Sequence, residues 1–279
     1  MPITVQLFVT CLADMIRPQA AIAAVHVLEN RGIQVEFPER QTCCGQFSYN
    51  AGYQHEAAVM ARNFVQVFES GSPEDSADIV ALSGSCAAMV INTYPQLLYE
   101  DALQQRKSET EAREWKKRAE KIAHRVQEWS MWLDRHGEAS LAPTDMSLPV
   151  VYHLGCHMRR LLPGSERAEE FLKDKGIDAR EPENAEECCG FGGTYSFTEP
   201  VLSTALADDK LANIQRVVDD AQAVCLTSAD LGCLLHLEGR LRRQKSSLPV
   251  CHVAELVELA DQKKLTPAYV QELVRGGGE

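Results

Sequence analysis

Two pairs of adjacent cysteines are the feature of this 279-residue chain with the clearest chemical potential. The run 188–193 reads Cys-Cys-Gly-Phe-Gly-Gly, and the run 43–47, Cys-Cys-Gly-Gln-Phe, is a weaker copy of it. Glycine permits positive φ angles and lets the backbone approach a bulky group closely. A pair of thiols on such a turn favours binding of an inorganic cluster over burial in a packed core.

The spacing of the other cysteines indicates an internal duplication. In each half 31 residues separate the first cysteine from the Cys-Cys-Gly, and 41 residues in the first half and 43 in the second, counting the glycine, separate the cysteine pair from the last cysteine. A shift of 145 residues superimposes the first three cysteines of each half, and a shift of 147 superimposes the fourth. The repeated cysteines are Cys11, Cys43, Cys44 and Cys86, and then Cys156, Cys188, Cys189 and Cys233.

Four thiolates per half form a ligand set for soft metals, either an iron–sulfur cluster or zinc. Structural zinc sites usually use Cys-x2–4-Cys pairs, and neither half contains a Cys-x-x-Cys. Adjacent cysteines suit a cluster better than one tetrahedral ion, because each thiolate can bind a different iron. The spacing therefore favours an iron–sulfur cluster over zinc, up to one cluster per half, with all eight repeated cysteines as ligands.

Non-enzymatic alternatives stay open at this point. One is a structural zinc module, and another is a redox switch that closes disulfides within the pairs 43–44 and 188–189. Such a switch leaves no role for the four outer cysteines of the repeat. The two unrepeated cysteines, Cys225 and Cys251, are interpreted as buried core thiols, which are common in proteins.

The pattern of elements predicts an α/β protein with mainly parallel sheets. Predicted strands cover 3–10, 33–37, 78–83, 150–154 and 223–227, and 250–253 is either a strand or a helix start. Predicted helices cover 19–30, 54–70, 86–98, 166–175, 200–219 and 233–240, with one or two amphipathic helices in 108–135. We expect two similar, pseudo-twofold-related lobes, each a small sheet flanked by helices. They correspond to domains 1–142 and 149–279, joined by a linker at 137–149, with a frayed tail at 276–279.

The bulk composition restricts the class of protein. A net charge of −12 makes phosphate backbones, and hence nucleic acids, improbable partners. No apolar run approaches the roughly 18 residues that a transmembrane helix needs. The first residues show no basic segment leading into an apolar one, so we expect no signal peptide and a cytoplasmic location. In a reducing compartment, ordered cysteines indicate metal binding or catalysis rather than disulfides.

The two cysteine orders resemble the cysteine-rich CCG domain. That domain occurs in tandem in components of heterodisulfide reductase and of anaerobic glycerol-3-phosphate dehydrogenase, and in lactate utilisation protein A. The strings at 84–89, 188–196 and 232–236 look most like the last of these families, over nearly the whole chain. The resemblance implies an iron–sulfur subunit that passes electrons within a complex oxidising L-lactate to pyruvate, with a ferredoxin-like iron–sulfur protein among its other subunits. Glycolate or glycerol-3-phosphate are alternative electron sources.

The chain departs from that pattern after the last cysteine of each half. In the heterodisulfide reductase branch this cysteine begins a Cys-x-x-Cys, whereas Met89 and His236 occupy the corresponding positions here. Four cysteines per half remain, which is enough for a [4Fe–4S] site. His236 either replaces the missing ligand or hydrogen-bonds nearby backbone.

Charged and titratable residues surround Cys156. His153 and His157 either donate hydrogen bonds to cluster sulfurs or satisfy loop backbone. Arg159 and Arg160 either bind an acidic group, such as a substrate carboxylate, or form ion pairs. The sequence leaves these alternatives open.

Overall fold

Two parallel four-stranded sheets form the framework of the chain. The structure, a computed structural model, describes residues 3–70, 77–136 and 147–276. The first sheet has the order β2-β1-β3-β4 and the second β6-β5-β7-β8, and all neighbouring strands are parallel. Their bounds are β1 Thr4–Phe8, β2 Gln34–Glu36, β3 Asp78–Ala81, β4 Val126–Glu128, β5 Leu148–Tyr152, β6 Ile177–Arg180, β7 Leu226–Ser228 and β8 Val250–His252.

Helices cover both sheets, which explains why β1 and β5 are buried along most of their length. The helices of the first half are α1 Cys11–Ile16, α2 Pro18–Glu29, α3 Gln46–Asn50, α4 Gln54–Ser70, α5 Gly84–Ala88, α6 Tyr94–Gln104, α7 Glu109–Ala123 and α8 Trp129–His136. Those of the second half are α9 Cys156–Leu161, α10 Ala168–Asp174, α11 Tyr195–Thr198, α12 Pro200–Ala221, α13 Leu231–Arg243, α14 Val253–Asp261 and α15 Pro267–Gly276. A π-helical turn, Met89–Thr93, joins α5 to α6, and a 3₁₀ turn, Ser165–Arg167, precedes α10.

The predicted α/β class and the duplication into two similar lobes are confirmed. Each strand of the first sheet has an equivalent at the same place in the second sheet. The contacts between the lobes are reciprocal. Helix α5 packs on α9 while α13, the equivalent of α5, packs on α1, and the pairs α2–α14 and α10–α8 repeat this exchange. Such an exchange of equivalent contacts is what a pseudo-twofold arrangement produces.

The prediction for 108–135 was wrong in one respect, because this region contains a strand. Between α7 and α8 the chain forms β4, which pairs with β3 at the sheet edge. The buried residues Trp129 and Trp132 begin the following helix immediately after this strand. A three-residue strand is too short to interrupt the helical spacing of the surrounding apolar residues.

Several short elements also escaped prediction. No helix was expected to begin at Cys11 or Cys156, and no strand was expected at β6, although the repeat relates β6 to β2. Both alternatives for 250–253 occur, because β8 ends at His252 and α14 begins at the next residue. Predicted helix 86–98 continues to Gln104 through the π-helical turn.

Most of the predicted linker lies outside the described residues, as does nearly all of the predicted tail. Leu148 and Pro149 belong to β5 rather than to a linker. The domain bounds 1–142 and 149–279 therefore remain a prediction. Among the described residues, no helix combines the length and apolar character that crossing a bilayer requires.

A buried carboxylate joins the two lobes. Asp230, the N-cap residue of α13, is 2% exposed, and its Oδ1 accepts hydrogen bonds from Ser83 Oγ at 2.6 Å and from Ser85 N at 2.9 Å. Ser83 is the N-cap residue of α5 and the equivalent of Asp230 in the first lobe. The caps of the two equivalent helices are thus bonded to each other across the interface.

A second buried acid, Glu128, lies at the end of β4. Its Oε2 accepts hydrogen bonds from the backbone N–H groups of Ser130 and Met131, at 2.9 and 3.1 Å. Its Oε1 is buried and has no hydrogen-bond partner among the described residues. Burial raises the pKa of Glu128 from 4.5 to about 7, and the charge of Asp230 adds to this rise.

This raised pKa predicts a pH-dependent stability. Between pH 4.5 and 7 the unfolded chain ionises at Glu128 while the folded chain keeps its proton, so stability falls as the pH rises through this window. Across this window the free energy of unfolding should fall by about 3 kcal/mol. Urea unfolding across roughly pH 5–8 should show this loss in the wild type, and Glu128→Gln should abolish that component. The exposed Glu114→Gln is the control, and an equal pH slope in wild type and Glu128→Gln would contradict the prediction.

Candidate metal centre

The outer cysteines of each half lie at the carboxyl ends of the two central strands. Cys11 begins α1 just after β1, and Cys86 lies in α5 just after β3. These strands are neighbours, and the chain leaves them towards opposite sides of the sheet, which opens a crevice between their ends. Cys156 and Cys233 follow β5 and β7 in the same way.

The adjacent cysteines reach this crevice on turns that require glycine. Gly45 and Gly190 have φ angles of 80° and 89°. A Cβ atom on Gly190 would come within 2.4 Å of the Ser203 carbonyl oxygen in α12, and one on Gly45 within 3.2 Å of the Ala57 carbonyl oxygen in α4. Each Cys-Cys-Gly turn therefore packs directly against the backbone of a helix, and this packing fixes the direction of its thiols.

The structure brings the four repeated cysteines of the first lobe together. Cys11 Sγ lies 3.5 Å from Cys43 Sγ, and Cys44 Sγ lies 3.2 Å from Cys86 Sγ. The second lobe repeats this scheme, because the thiol of Cys156 interacts with that of Cys188, and the thiol of Cys189 with that of Cys233. All of these cysteines are free thiols.

Both sets of thiols line one cleft between the lobes. The cleft has a volume of about 130 Å³, and all eight repeated cysteines border it. Phe47 of the first lobe and Phe191 of the second meet edge to face beside it, with ring centroids 5.6 Å apart. The eight residues that the sequence singled out thus form one continuous site.

The thiols of each set have unequal pKa values. Hydrogen bonds from Cys11 and Cys44 lower the pKa of Cys43 to about 3, and Cys156 and Cys189 lower the pKa of Cys188 in the same way. The hydrogen bond to Cys43 and burial raise the pKa of Cys11. Full ionisation of four crowded thiols requires a neighbouring positive charge, so this donor set fits a cationic metal or cluster.

The two histidines around Cys156 both lie beside thiols. His157 Nδ1 is 3.6 Å from Cys156 Sγ. His153 is 2% exposed, and one of its ring nitrogens and the sulfurs of Cys189 and Cys233 all lie within 4.8 Å of one another. Among the described residues, this is the one group of three or more cysteine, histidine or acidic side chains whose ligand atoms all lie within 4.8 Å of one another.

His236 lies further back in the second lobe. Its Nε2 is 3.3 Å from Ser203 Oγ, and Ser203 in turn donates a hydrogen bond to the Gly190 carbonyl at 2.8 Å. Burial lowers the pKa of His236. The imidazole therefore supports the residue that holds the Cys-Cys-Gly turn.

The arginines and the unrepeated cysteines are engaged elsewhere. Arg159 forms an ion pair with Glu181, and Arg160 donates a hydrogen bond to a backbone carbonyl. The interpretation of Arg159 as an ion-pair residue is confirmed. Cys225 and Cys251 are buried with their sulfurs 3.7 Å apart, and neither borders the cleft.

The sequence analysis missed Asp230, which borders the cleft and bonds to the turn before Cys86. A signal was present, because the 147-residue shift places Asp230 on Ser83, the residue before the Gly-Ser-Cys string. Tyr94 was also missed. It is fully buried, and its hydroxyl donates a hydrogen bond to the Cys44 carbonyl at 2.8 Å.

Comparisons with known proteins agree with this architecture. The profile of the cysteine-rich domain family CCG matches residues 5–91 and 150–238. Lactate utilization protein A 2 of Bacillus cereus (strain AH820) is 35% identical over 254 residues, which cover 91% of this chain and 97% of that protein. Lactate utilization protein A of Shouchella clausii (strain KSM-K16) is 35% identical, with 91% and 98% covered. A crystal structure of a hypothetical protein from Helicobacter pylori shares the fold, with a TM-score of 0.60, 11% identity, and 93% of this chain and 49% of that chain covered.

The close packing of the second Cys-Cys-Gly turn against α12 predicts opposite effects on stability for two glycine substitutions. Gly190→Ala forces a side chain onto positive φ and against the Ser203 carbonyl, so it should lower the free energy of unfolding by about 2–4 kcal/mol. Gly239→Ala is the control, because this glycine lies within α13 with open space at its Cβ position. It should raise stability by about 0.5–1 kcal/mol. Chemical denaturation measures both, and a neutral Gly190→Ala would show that the turn is not held as described.

Proposed function

This chain belongs to the cysteine-rich CCG-domain family, and we propose that it is an iron–sulfur electron-transfer subunit of a complex that oxidises L-lactate to pyruvate. The proposal rests on one observation. Two matched sets of four free thiols face each other across one cleft. The substrate is inferred from the relatives, which are named for lactate utilization.

Each lobe would hold one cluster of the [4Fe–4S] type. The ligands would be Cys11, Cys43, Cys44 and Cys86 in the first lobe and Cys156, Cys188, Cys189 and Cys233 in the second. Such clusters accept and donate single electrons, so two of them match the two-electron oxidation of a hydroxy acid. The side chains support this group through soft donors, glycine turns that leave room beside the sulfurs, and crowded thiols that need a positive neighbour.

The contacts favour a four-thiol site over a freestanding dithiol. Within the first pair, Cys43 contacts Cys11 while Cys44 contacts Cys86. Each member of the pair is thus matched with a different outer cysteine. A redox switch confined to the pair would not need these outer thiols, and a single zinc ion would leave adjacent cysteines poorly placed.

Partners and location follow from this role. Single-electron carriers need a donor and an acceptor, so we propose other subunits, among them a ferredoxin-like iron–sulfur protein. Eight free thiols in close contact persist in a reducing compartment, which supports a cytoplasmic location. The domains 1–142 and 149–279 would then each carry one cluster.

Metal analysis of anaerobically purified protein tests the cluster. The wild type should be brown and contain roughly eight irons and as many sulfides per chain, as two [4Fe–4S] clusters require. Cys189→Ala should lose roughly half of both. Cys251→Ala removes an equally buried thiol outside the cleft and should keep them. Stoichiometric zinc in a colourless sample would refute the iron–sulfur proposal.

Growth of a strain lacking this chain tests the substrate. We expect slow or absent growth on L-lactate and ordinary growth on glycolate or glycerol, because only lactate oxidation loses its electron carrier. The wild-type gene should restore growth on lactate, and the Cys189→Ala gene should not. A defect on glycolate or glycerol with normal growth on lactate would assign the clusters to a different electron source.

A further inference from the structure

The two proposed cluster sites differ at the residues that flank their first cysteine. The strings are Phe-Val-Thr-Cys-Leu at 8–12 and His-Leu-Gly-Cys-His at 153–157. The 145-residue shift therefore places Phe8 on His153 and Leu12 on His157. Both imidazoles belong to the second lobe, and both of the equivalent side chains in the first lobe are apolar.

His153 is the more consequential of the two histidines because it is buried against sulfur. One of its ring nitrogens lies within 4.8 Å of the sulfurs of both Cys189 and Cys233. Its Nε2 is buried without a hydrogen-bond partner among the described residues. The ring thus retains hydrogen-bonding capacity in a part of the site where cluster sulfur would lie.

Phe8 has no such capacity. It is fully buried, and its ring packs edge to face on Phe64, with centroids 4.8 Å apart, and on Phe68, at 6.0 Å. A phenyl ring at this position offers no N–H group to the sulfurs of the first lobe. The duplication has therefore kept the thiols and changed the polarity of their surroundings.

Hydrogen bonds to sulfur ligands raise the reduction potential of an iron–sulfur cluster, because the reduced cluster carries more negative charge and gains more from the donor. The carboxylate of Asp230 acts in the opposite sense. It is bonded to Ser85 beside Cys86 in the first lobe, but its charge also raises the pKa values of Cys156 and Cys233, so it acts on the second site. The two histidines oppose this effect, because they can donate hydrogen bonds to sulfur in the second lobe, and the first lobe has apolar residues in their place.

We propose that His153, assisted by His157, makes the two sites inequivalent by hydrogen-bonding to sulfur ligands in the second lobe. The second-lobe cluster then has the higher reduction potential and is the stronger electron acceptor of the two. This inference rests on the proposed iron–sulfur function. His153 acts here as a positioning and tuning residue, with the four cysteines as ligands.

Redox titration of the anaerobically purified chain, followed by electron paramagnetic resonance, tests the inference. The wild type should show two separate midpoint potentials. His153→Leu should lower the higher potential towards the other one, leave the lower one in place, and keep the wild-type iron content. His153→Asn, which retains an N–H donor, should restore part of the difference. His157→Leu introduces the first-lobe residue at a less buried position and should produce a smaller shift in the same direction.

His252→Leu is the matched control. This imidazole is as buried as that of His153, but it contacts the Ala229 carbonyl and the N-terminus of α14 rather than a thiol. Its loss should reduce stability and leave both potentials unchanged. Unchanged potentials in both His153→Leu and His157→Leu would overturn the inference, and so would loss of half of the iron from His153→Leu, which would make His153 a ligand. A wild-type chain without iron would refute the proposed function itself, and the inference with it.

Discussion

The hydrogen bonds of Asp230 are the interaction on which the geometry of the cleft depends. Each lobe presents its thiols at one edge of its own sheet, and the two edges face each other only if the lobes are held in register. Asp230 provides this register, because one carboxylate oxygen binds both the hydroxyl and a backbone N–H group of the turn that carries Cys86. Close contact continues at Gly84, where a Cβ atom would lie 2.6 Å from Met158 Cβ. The interface therefore tolerates little displacement.

The same register crowds the thiols so closely that all of them can ionise together only beside a positive charge. Eight thiols and a buried carboxylate border one cleft, and hydrogen bonds between neighbouring thiols lower the pKa of Cys43 and raise that of Cys44. A protein selected only for stability would replace such a group with apolar side chains. The set of four cysteines is present in both lobes, each time with its glycine turn. This repetition indicates that the sulfurs are positioned to bind a ligand.

The sequence predicted the architecture wherever the signal was long or repeated. Helices such as α2, α4 and α12 followed from sustained apolar spacing, and the eight thiols followed from their duplicated intervals. The missed elements are short: β4 has three residues, and α1 and α9 have six each. Elements of this length have no periodicity of their own and are stabilised by the sheet and by the neighbouring lobe. The role of Asp230 was equally hidden, because its partners Ser83 and Ser85 lie 147 and 145 residues away in sequence.

The duplication also separates the parts of the site that must be the same from those that are free to differ. Residues that hold the sulfurs are repeated: the Cys-Cys-Gly turns, the helix under each turn, and the cysteines that follow the central strands. Other residues near the ends of the central strands have diverged, with Ser83 against Asp230 at the caps of α5 and α13, and Phe8 against His153 at the ends of the first strands. Two identical carriers facing each other would exchange an electron with no preferred direction. In the proposed electron-transfer role, a duplicated fold gains direction only through such differences, and one of them, Asp230 against Ser83, lies at the contact between the lobes.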